Sequence, residues 1–136
     1  MAEIFLTQAW VDRLVEKLNS DARYAQIASK WEGDLAFVIE PSGDLTQPVF
    51  IYVDLWHGTC RSGRLLSGLQ DNTAAFTMTA TYEDIKKVLT GKLDPMQALM
   101  IRKLRLQGSM AYMMRNTPTV IDFVRCAREI TTEIIP

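Results

Sequence analysis

The chain has 136 residues, the usual size of one domain and enough to bury a hydrophobic core. Apolar residues make up 48% of it, charged residues 23%, and the formal net charge is -1. This balance is typical of a soluble globular protein, and it lacks the excess positive charge that holds a nucleic-acid backbone. We therefore expect a single domain over residues 1–136 and no nucleic-acid partner.

Targeting signals and cysteine usage indicate the cellular compartment. No apolar run approaches the roughly 18–20 residues that span a membrane, and the N-terminus, MAEIFLTQAW, lacks the basic-then-apolar order of a signal peptide. The cysteines, Cys60 and Cys126, do not make a disulfide framework. The C-terminus, EIIP, is not the S-K-L tripeptide of peroxisomal proteins. We expect a reduced, cytoplasmic protein.

The first part of the chain predicts two helices and a β-hairpin. Residues 6–20, LTQAWVDRLVEKLNS, place apolar side chains at helical spacing after Thr7 as N-cap. Residues 20–33 repeat the pattern until a glycine ends it. The segments DLAFVIE (34–40) and PVFIYVDLW (48–56) are rich in β-branched and aromatic residues, and a turn-forming segment joins them. They predict two paired strands.

The middle of the chain is less regular at first. Residues 57–72, HGTCRSGRLLSGLQDN, are glycine-rich and predict a short edge strand or a loop. Residues 73–81, TAAFTMTAT, alternate and predict a strand with one polar face. Thr81 is the expected N-cap of a helix over residues 82–91, and Asp94, followed by proline, opens another short helix.

The last part of the chain predicts one more strand and two more helices. In the predicted strand RKLRLQG (102–108), Leu104 and Leu106 lie on the opposite face from Lys103, Arg105 and Gln107. Ser109 begins a short helix, and Thr117 with the following proline begins a longer one. The order of elements predicts an α+β fold, a mostly antiparallel sheet covered by helices.

Known catalytic and metal motifs are missing from the sequence. His57, the only histidine, forms HGTC with Cys60, but a structural zinc site needs about four ligands. The segment CRSGR resembles the phosphate loop of tyrosine phosphatases, yet Leu66 stands where that loop needs arginine. Phosphate-loop, dinucleotide and nucleophile-elbow motifs do not occur. We predict no enzyme, no cofactor and no metal; an enzyme would have to use His57 or Cys60.

The basic residues allow two interpretations. Arg61, Arg64, Arg102, Lys103 and Arg105 are either scattered solvated charges or a positive patch. Such a patch would meet anionic headgroups or a ligand carboxylate. The sequence leaves both interpretations open, although scattered charges are the simpler one.

Methionines concentrate in one segment. Five of the seven lie within LDPMQALMIRKLRLQGSMAYMM, at Met96, Met100, Met110, Met113 and Met114. Methionine is unbranched and polarizable, so it fills irregular gaps and tolerates changing neighbours. The pattern alone favours packing in a core over the lining of a cavity.

The segment FTMTATYEDIKKVLTGKLDPMQALMIRKLRLQGSMA closely resembles the sterol carrier protein type 2 family. A strand and a capped helix precede TGKLDPMQALM, and a strand ending in glycine precedes a methionine-bearing helix. These features run from Phe76 to Met114, and the order of elements from Ala9 to Ile130 also fits. Arg102 departs from the pattern, since many members have a small residue there, often glycine. A long cation at this position would narrow or decorate the mouth of a cavity.

The resemblance implies a five-stranded sheet with an apolar tunnel under the C-terminal helices. It implies non-enzymatic binding or transfer of a fatty acid, fatty acyl-CoA or sterol-like lipid. A lipid ligand and transient contact with a membrane surface are the expected partners, and a homodimer is left open. On this interpretation, Met100→Asp or Met113→Asp abolishes binding of a fluorescent fatty acid while largely preserving the fold. The residues that match the tunnel-lining regions are Phe76, Met78, Met96, Leu99, Met100, Leu104, Leu106, Met110, Met113, Met114, Val120 and Val124.

The alternative is a protein-interaction or dimerisation module whose apolar surface a partner covers. Trp10, Trp31 and Trp56 would then serve as aromatic anchors. Burial in the core is the simpler interpretation of each tryptophan.

Overall fold

The computed structural model of the chain describes residues 5–69 and 73–134. The end of the predicted glycine-rich segment, residues 70–72, lies outside the described residues, as do both ends of the predicted 1–136 domain. The helices are α1 Gln8–Ser20, α2 Ala22–Ile27, α3 Tyr82–Leu89, α4 Pro95–Met100, α5 Met110–Arg115 and α6 Thr117–Ile134. The strands are β1 Leu35–Glu40, β2 Val49–Trp56, β3 Thr59–Leu66, β4 Phe76–Thr81 and β5 Arg105–Gln107.

The strands form a five-stranded sheet in the order β3-β2-β1-β4-β5. All neighbours are antiparallel except β1 and β4, which are parallel. The sheet confirms the predicted α+β class. In the centre of the sheet, Phe37 of β1 lies between Ile51 of β2 and Met78 of β4. Residues that are paired across neighbouring strands point to the same face of the sheet. These three side chains point to the face that the helices cover.

Side-chain caps set the starts of five helices. Thr7, Asp21, Thr81, Asp94 and Ser109 each accept a hydrogen bond from the backbone N–H three residues further on. Such a bond satisfies one of the unpaired donors at a helix start. Four of these caps confirm the predicted ones, whereas α2 begins after Asp21, one residue beyond the predicted start.

The second helix is shorter than predicted. It ends at Ile27 instead of continuing toward Gly33. The backbone of residues 31–33 pairs with the end of β2, since Trp31 O accepts from His57 N at 2.7 Å and Gly33 N donates to Leu55 O at 3.4 Å. The last apolar residue of the helical pattern, Trp31, therefore lies beyond the helix and pairs with β2.

The two edge strands also differ from the prediction. β3 is a full eight-residue strand, because His57 and Gly58 form a tight hairpin turn with φ of 48° and 82°. The glycine and arginines of this strand interrupt the alternation of apolar and polar residues, so the sequence did not indicate a full strand. β5 is shorter than the predicted 102–108, because Arg102 has a φ of 64° and terminates α4.

Two of the three tryptophans belong to the core. Trp10 and Trp31 are buried, and Trp10 Nε1 donates to Thr131 Oγ1 at 3.1 Å, which joins the first and last helices. Trp56 is 38% exposed, and the guanidinium of Arg61 lies 5.0 Å from the centre of its ring. Of the three anchor candidates, Trp56 alone is exposed.

Candidate functional site

An apolar cavity of about 90 Å³ lies between the inner face of the sheet and the helices. Its sheet wall consists of Leu35, Phe37, Ile39, Ile51, Leu55 and Met78. Its helical wall consists of Trp10, Leu14, Ile85, Val88, Leu89, Pro95, Leu99, Met113, Thr119, Val120, Phe123, Val124 and Ala127. The remaining lining residues, Leu6, Trp31 and Leu104, come from connecting segments.

The cavity wall offers no free polar group. Of its side chains, Trp10, Trp31 and Thr119 alone carry nitrogen or oxygen, and each donates a hydrogen bond within the protein. Trp10 Nε1 donates to Thr131 Oγ1, while the other two donate to backbone carbonyls at 2.8 and 3.3 Å. A space of this kind does not hold water well, because water needs polar partners. It suits hydrocarbon.

Four of the lining residues are only half-buried. They are Phe37 of β1 and Val120, Phe123 and Val124 of α6. The rings of Phe37 and Phe123 are stacked, with centroids 6.1 Å apart and planes 11° apart. This aromatic pair bridges the sheet wall and the helical wall.

Six of the twelve residues predicted from the family resemblance line the cavity. They are Met78, Leu99, Leu104, Met113, Val120 and Val124. Their role in lipid binding remains a prediction.

The other six predicted residues lie off the cavity wall. Phe76 is buried and packs against the rings of Trp31 and Tyr112, while Met96 and Leu106 are half-buried against the core. The remaining three are on the surface: Met100 is 76%, Met110 42% and Met114 45% exposed. In helices as short as α4 and α5, spacing cannot tell an inward from an outward methionine, since apolar residues occur on most sides.

Several wall residues were not among the predicted site residues. Leu35, Phe37 and Ile39 of β1 form much of the sheet wall, and Phe123 of α6 faces them. A strand over DLAFVIE places Leu35, Phe37 and Ile39 on one face, but the residues between them are apolar too, so the sequence did not indicate which face is buried. That this face is opposite α6 follows only from the position of β1 in the sheet.

The titratable residues considered for catalysis lie elsewhere. His57 Nε2 is 2.6 Å from Glu32 Oε2 at the surface, and neither residue lines the cavity. Burial raises the pKa of the Cys60 thiol to about 11, and that of Cys126 likewise to about 11. Thiols with such pKa values stay protonated near neutral pH and are poor nucleophiles.

Three side-chain atoms that could bind a metal ion lie within 4.8 Å of one another, one each from Asp21, Asp122 and Cys126. Both carboxylates already form ion pairs with Arg125, whose Nη2 is 2.7 Å from Asp21 Oδ1 and whose Nε is 2.8 Å from Asp122 Oδ1. Lys17 Nζ is 3.3 Å from Asp21. The Arg125 guanidinium holds the pKa of Asp21 well below its usual range. These charges therefore form an ion-pair network joining α1, α2 and α6, not a cation site.

None of the helices in residues 5–69 and 73–134 is long and apolar enough to cross a membrane.

The fold is similar to that of sterol carrier protein 2 structures. The chain belongs to the SCP-2 sterol transfer family, whose model matches residues 11–120. A crystal structure of sterol carrier protein 2 is 33% identical, with a TM-score of 0.84 over 93% of this chain and 98% of that one. These matches confirm the predicted family and fold class.

Two further structures extend the comparison. A conserved hypothetical protein from Thermus thermophilus, described as a possible sterol carrier protein, is 34% identical, with a TM-score of 0.83 over 94% of this chain and 90% of that one. Apo sterol carrier protein 2 from Yarrowia lipolytica is 16% identical, with a TM-score of 0.60 over 94% and 96%, and shares the fold. No curated protein sequence matches significantly.

Proposed function

We propose that this protein binds a lipid without catalysis and holds its hydrocarbon part in the apolar cavity. The observation that carries the proposal is a cavity wall without a free polar group. Membership of the SCP-2 sterol transfer family and the names of its relatives support it. Burial of ten methylenes would contribute about 8 kcal/mol before the cost of ordering the ligand. The ligand class is a fatty acid, a fatty acyl-CoA or a sterol-like molecule.

The size of the cavity implies that a ligand must widen it. About 90 Å³ is less than the roughly 300–1,000 Å³ of most ligand pockets. Met78 and Met113 line the cavity wall. Their side chains are unbranched and flexible, so a change of rotamer can make room for a ligand. The stacked Phe37 and Phe123 rings bridge the two walls of the cavity, so separating them would enlarge the space between the walls. We propose that ligand binding separates this aromatic pair.

The residues that line the cavity also favour a carrier over an enzyme. It holds no carboxylate, histidine or cysteine among its lining residues, so no group there could transfer a proton to the ligand. We propose that residues 1–136 act as one lipid-binding domain. A protein-interaction module remains the alternative, with the exposed Trp56 as an anchor.

Native mass spectrometry tests the proposal. Protein purified without detergent should carry a removable mass of a few hundred daltons, and after denaturing extraction and refolding it should take up a fluorescent fatty acid. Competition with unlabelled fatty acid, acyl-CoA and sterol would then identify the ligand class. A clean apo mass together with no uptake of any of the three would reject lipid binding. Light scattering that shows a stable dimer would then favour the interaction module.

A further inference from the structure

The apolar cavity has no place for the charged end of a lipid. Its wall offers no free polar group, and a buried carboxylate without a partner is strongly unfavourable. A fatty acid that uses this cavity must therefore leave its carboxylate at an edge of the wall. A cation at that edge would bind the carboxylate and select an anionic ligand.

Arg128 of α6 lies at one edge of the cavity. Its Nε donates to Val88 O at 2.7 Å, and its Nη2 donates to Leu93 O at 3.2 Å. Val88 also lines the cavity, as do Ala127, which directly precedes Arg128, and Val124, one helical turn earlier. Because Val88 both lines the cavity and accepts the hydrogen bond from Nε, little more than this one residue separates the guanidinium from the cavity.

The hydrogen bonds of Arg128 cross from one helix to another part of the wall. Val88 belongs to α3, and Leu93 lies in the connection between α3 and α4. Both of these helices pack against α6, and Pro95 at the start of α4 lines the cavity. The guanidinium is therefore held where three helices of the wall meet.

The charge of Arg128 has no counter-ion among the described residues. Three arginines in that part of the chain are half-buried, Arg13, Arg125 and Arg128. The first two form ion pairs with carboxylates. Arg128 forms none with residues 5–69 and 73–134, and both of its hydrogen bonds go to uncharged carbonyls. A half-buried cation of this kind would gain a charge-assisted hydrogen bond from an anion.

The guanidinium keeps one edge for such an anion. Arginine has five N–H donors in one plane, and the edge that carries Nε and Nη2 contacts the two carbonyls. The edge formed by Nη1 and the second N–H of Nη2 has no partner in the part of the chain that the structure describes. Two parallel N–H donors match the two oxygens of a carboxylate. The carbonyls also hold the guanidinium in place, so carboxylate binding would cost little side-chain entropy.

The basic residues that the sequence singled out are less suited to this role. All five are exposed to solvent, where charge interactions are weakened by water and salt. None of the five lines the cavity. Three of them already form ion pairs with carboxylates: Arg61, Lys103 and Arg105.

We propose that Arg128 binds the carboxylate of a fatty acid whose hydrocarbon chain occupies the cavity. The chain would extend along α6 toward Phe123, which lies about one and a half helical turns before Arg128. This inference rests on the proposed lipid-binding function and narrows its ligand class to unesterified fatty acids. A fatty alcohol, a sterol and the thioester of an acyl-CoA offer no carboxylate to the guanidinium.

Two ligands with the same chain and different ends test the proposal. Dodecanoate and dodecanol can each displace a fluorescent fatty acid from the full-length protein, and the two displacement curves give their relative affinities. We expect the wild type to prefer dodecanoate about tenfold. Arg128→Gln should reduce the preference to about twofold or less, because it weakens dodecanoate binding and leaves dodecanol binding unchanged.

The ratio of the two affinities separates carboxylate binding from a structural role. Arg128→Gln also loses the hydrogen bonds to Val88 and Leu93, but a loosened wall would weaken both ligands equally. Arg128→Lys keeps the charge without the paired donors and should keep part of the preference. The matched control is Lys92→Gln, which removes an exposed cation from the same connection between α3 and α4 and should leave the ratio unchanged. Circular dichroism confirms that each variant is folded.

Three results would overturn the carboxylate site. They are equal binding of dodecanoate and dodecanol by the wild type, a preference that persists in Arg128→Gln, and an equal loss of preference in Lys92→Gln. If both ligands bind without preference, the proposed lipid-binding function stands and Arg128 has only a structural role. If neither these ligands nor a sterol or acyl-CoA binds, the proposed function fails and the carboxylate site fails with it.

Discussion

Filling the cavity with a larger side chain tests the proposed binding site directly. Val124 lies on α6, lines the cavity and is half-buried. Replacing it with phenylalanine adds about four carbon atoms, which would contribute up to about 3 kcal/mol if they were fully buried. Imperfect fit and lost rotamer freedom reduce this contribution. We therefore expect Val124→Phe to raise the free energy of unfolding by between 0 and about 2 kcal/mol.

The matched control is Val11→Phe on α1. Val11 is fully buried and does not line the cavity. Its Cγ1 lies only 3.1 Å from the position that a Cβ on Gly63 would occupy, so the helix and β3 are already in close contact. Added carbons have no free space there, and we expect a loss of about 1–3 kcal/mol or more from overpacking.

Urea denaturation and uptake of a fluorescent fatty acid measure the two effects. Val124→Phe should keep the fold and lose most of the uptake, whereas Val11→Phe should lose stability and, where it remains folded, keep the uptake. Equal destabilisation by the two variants would show that no usable space exists at Val124. Uptake at the wild-type affinity in Val124→Phe would show that the ligand is not held in this cavity.

Three other predictions follow from the structure. Met113→Asp should prevent stable folding because it buries a charge without a partner, whereas Met100→Asp should change the free energy of unfolding by less than about 0.5 kcal/mol, and circular dichroism on both variants checks this. Arg102→Gly should raise the free energy of unfolding by about 1 kcal/mol because glycine adopts a φ of 64° without strain, and a urea midpoint at or below that of the wild type would contradict this. Asp21→Asn should keep the cap of α2 but lose about 1–2 kcal/mol at neutral pH. Arg125 lowers the pKa of Asp21 from its ordinary 3.8, so this stabilisation is present above about pH 4 and disappears as the pH falls further; unfolding titrations should show a weaker acid dependence in the variant.

Local signals in the sequence determined much of the fold. Helix caps such as Thr7, Thr81 and Asp94 act on backbone groups three residues away, so a short window of sequence contains both partners. The hairpin of β1 and β2 was similarly apparent from composition and turn residues. The family motif between Phe76 and Met114 then indicated how these elements assemble, and the matched family model agrees with it.

Tertiary structure alone decided which apolar residues reach the cavity. Met113 is buried and Met114 is exposed although they are neighbours on the same short helix, because packing against α6 and the core selects one side of α5. Phe37 joins the wall because β4 pairs with β1 on the side away from β2. These outcomes depend on contacts between distant segments, and periodicity within one segment does not specify such contacts.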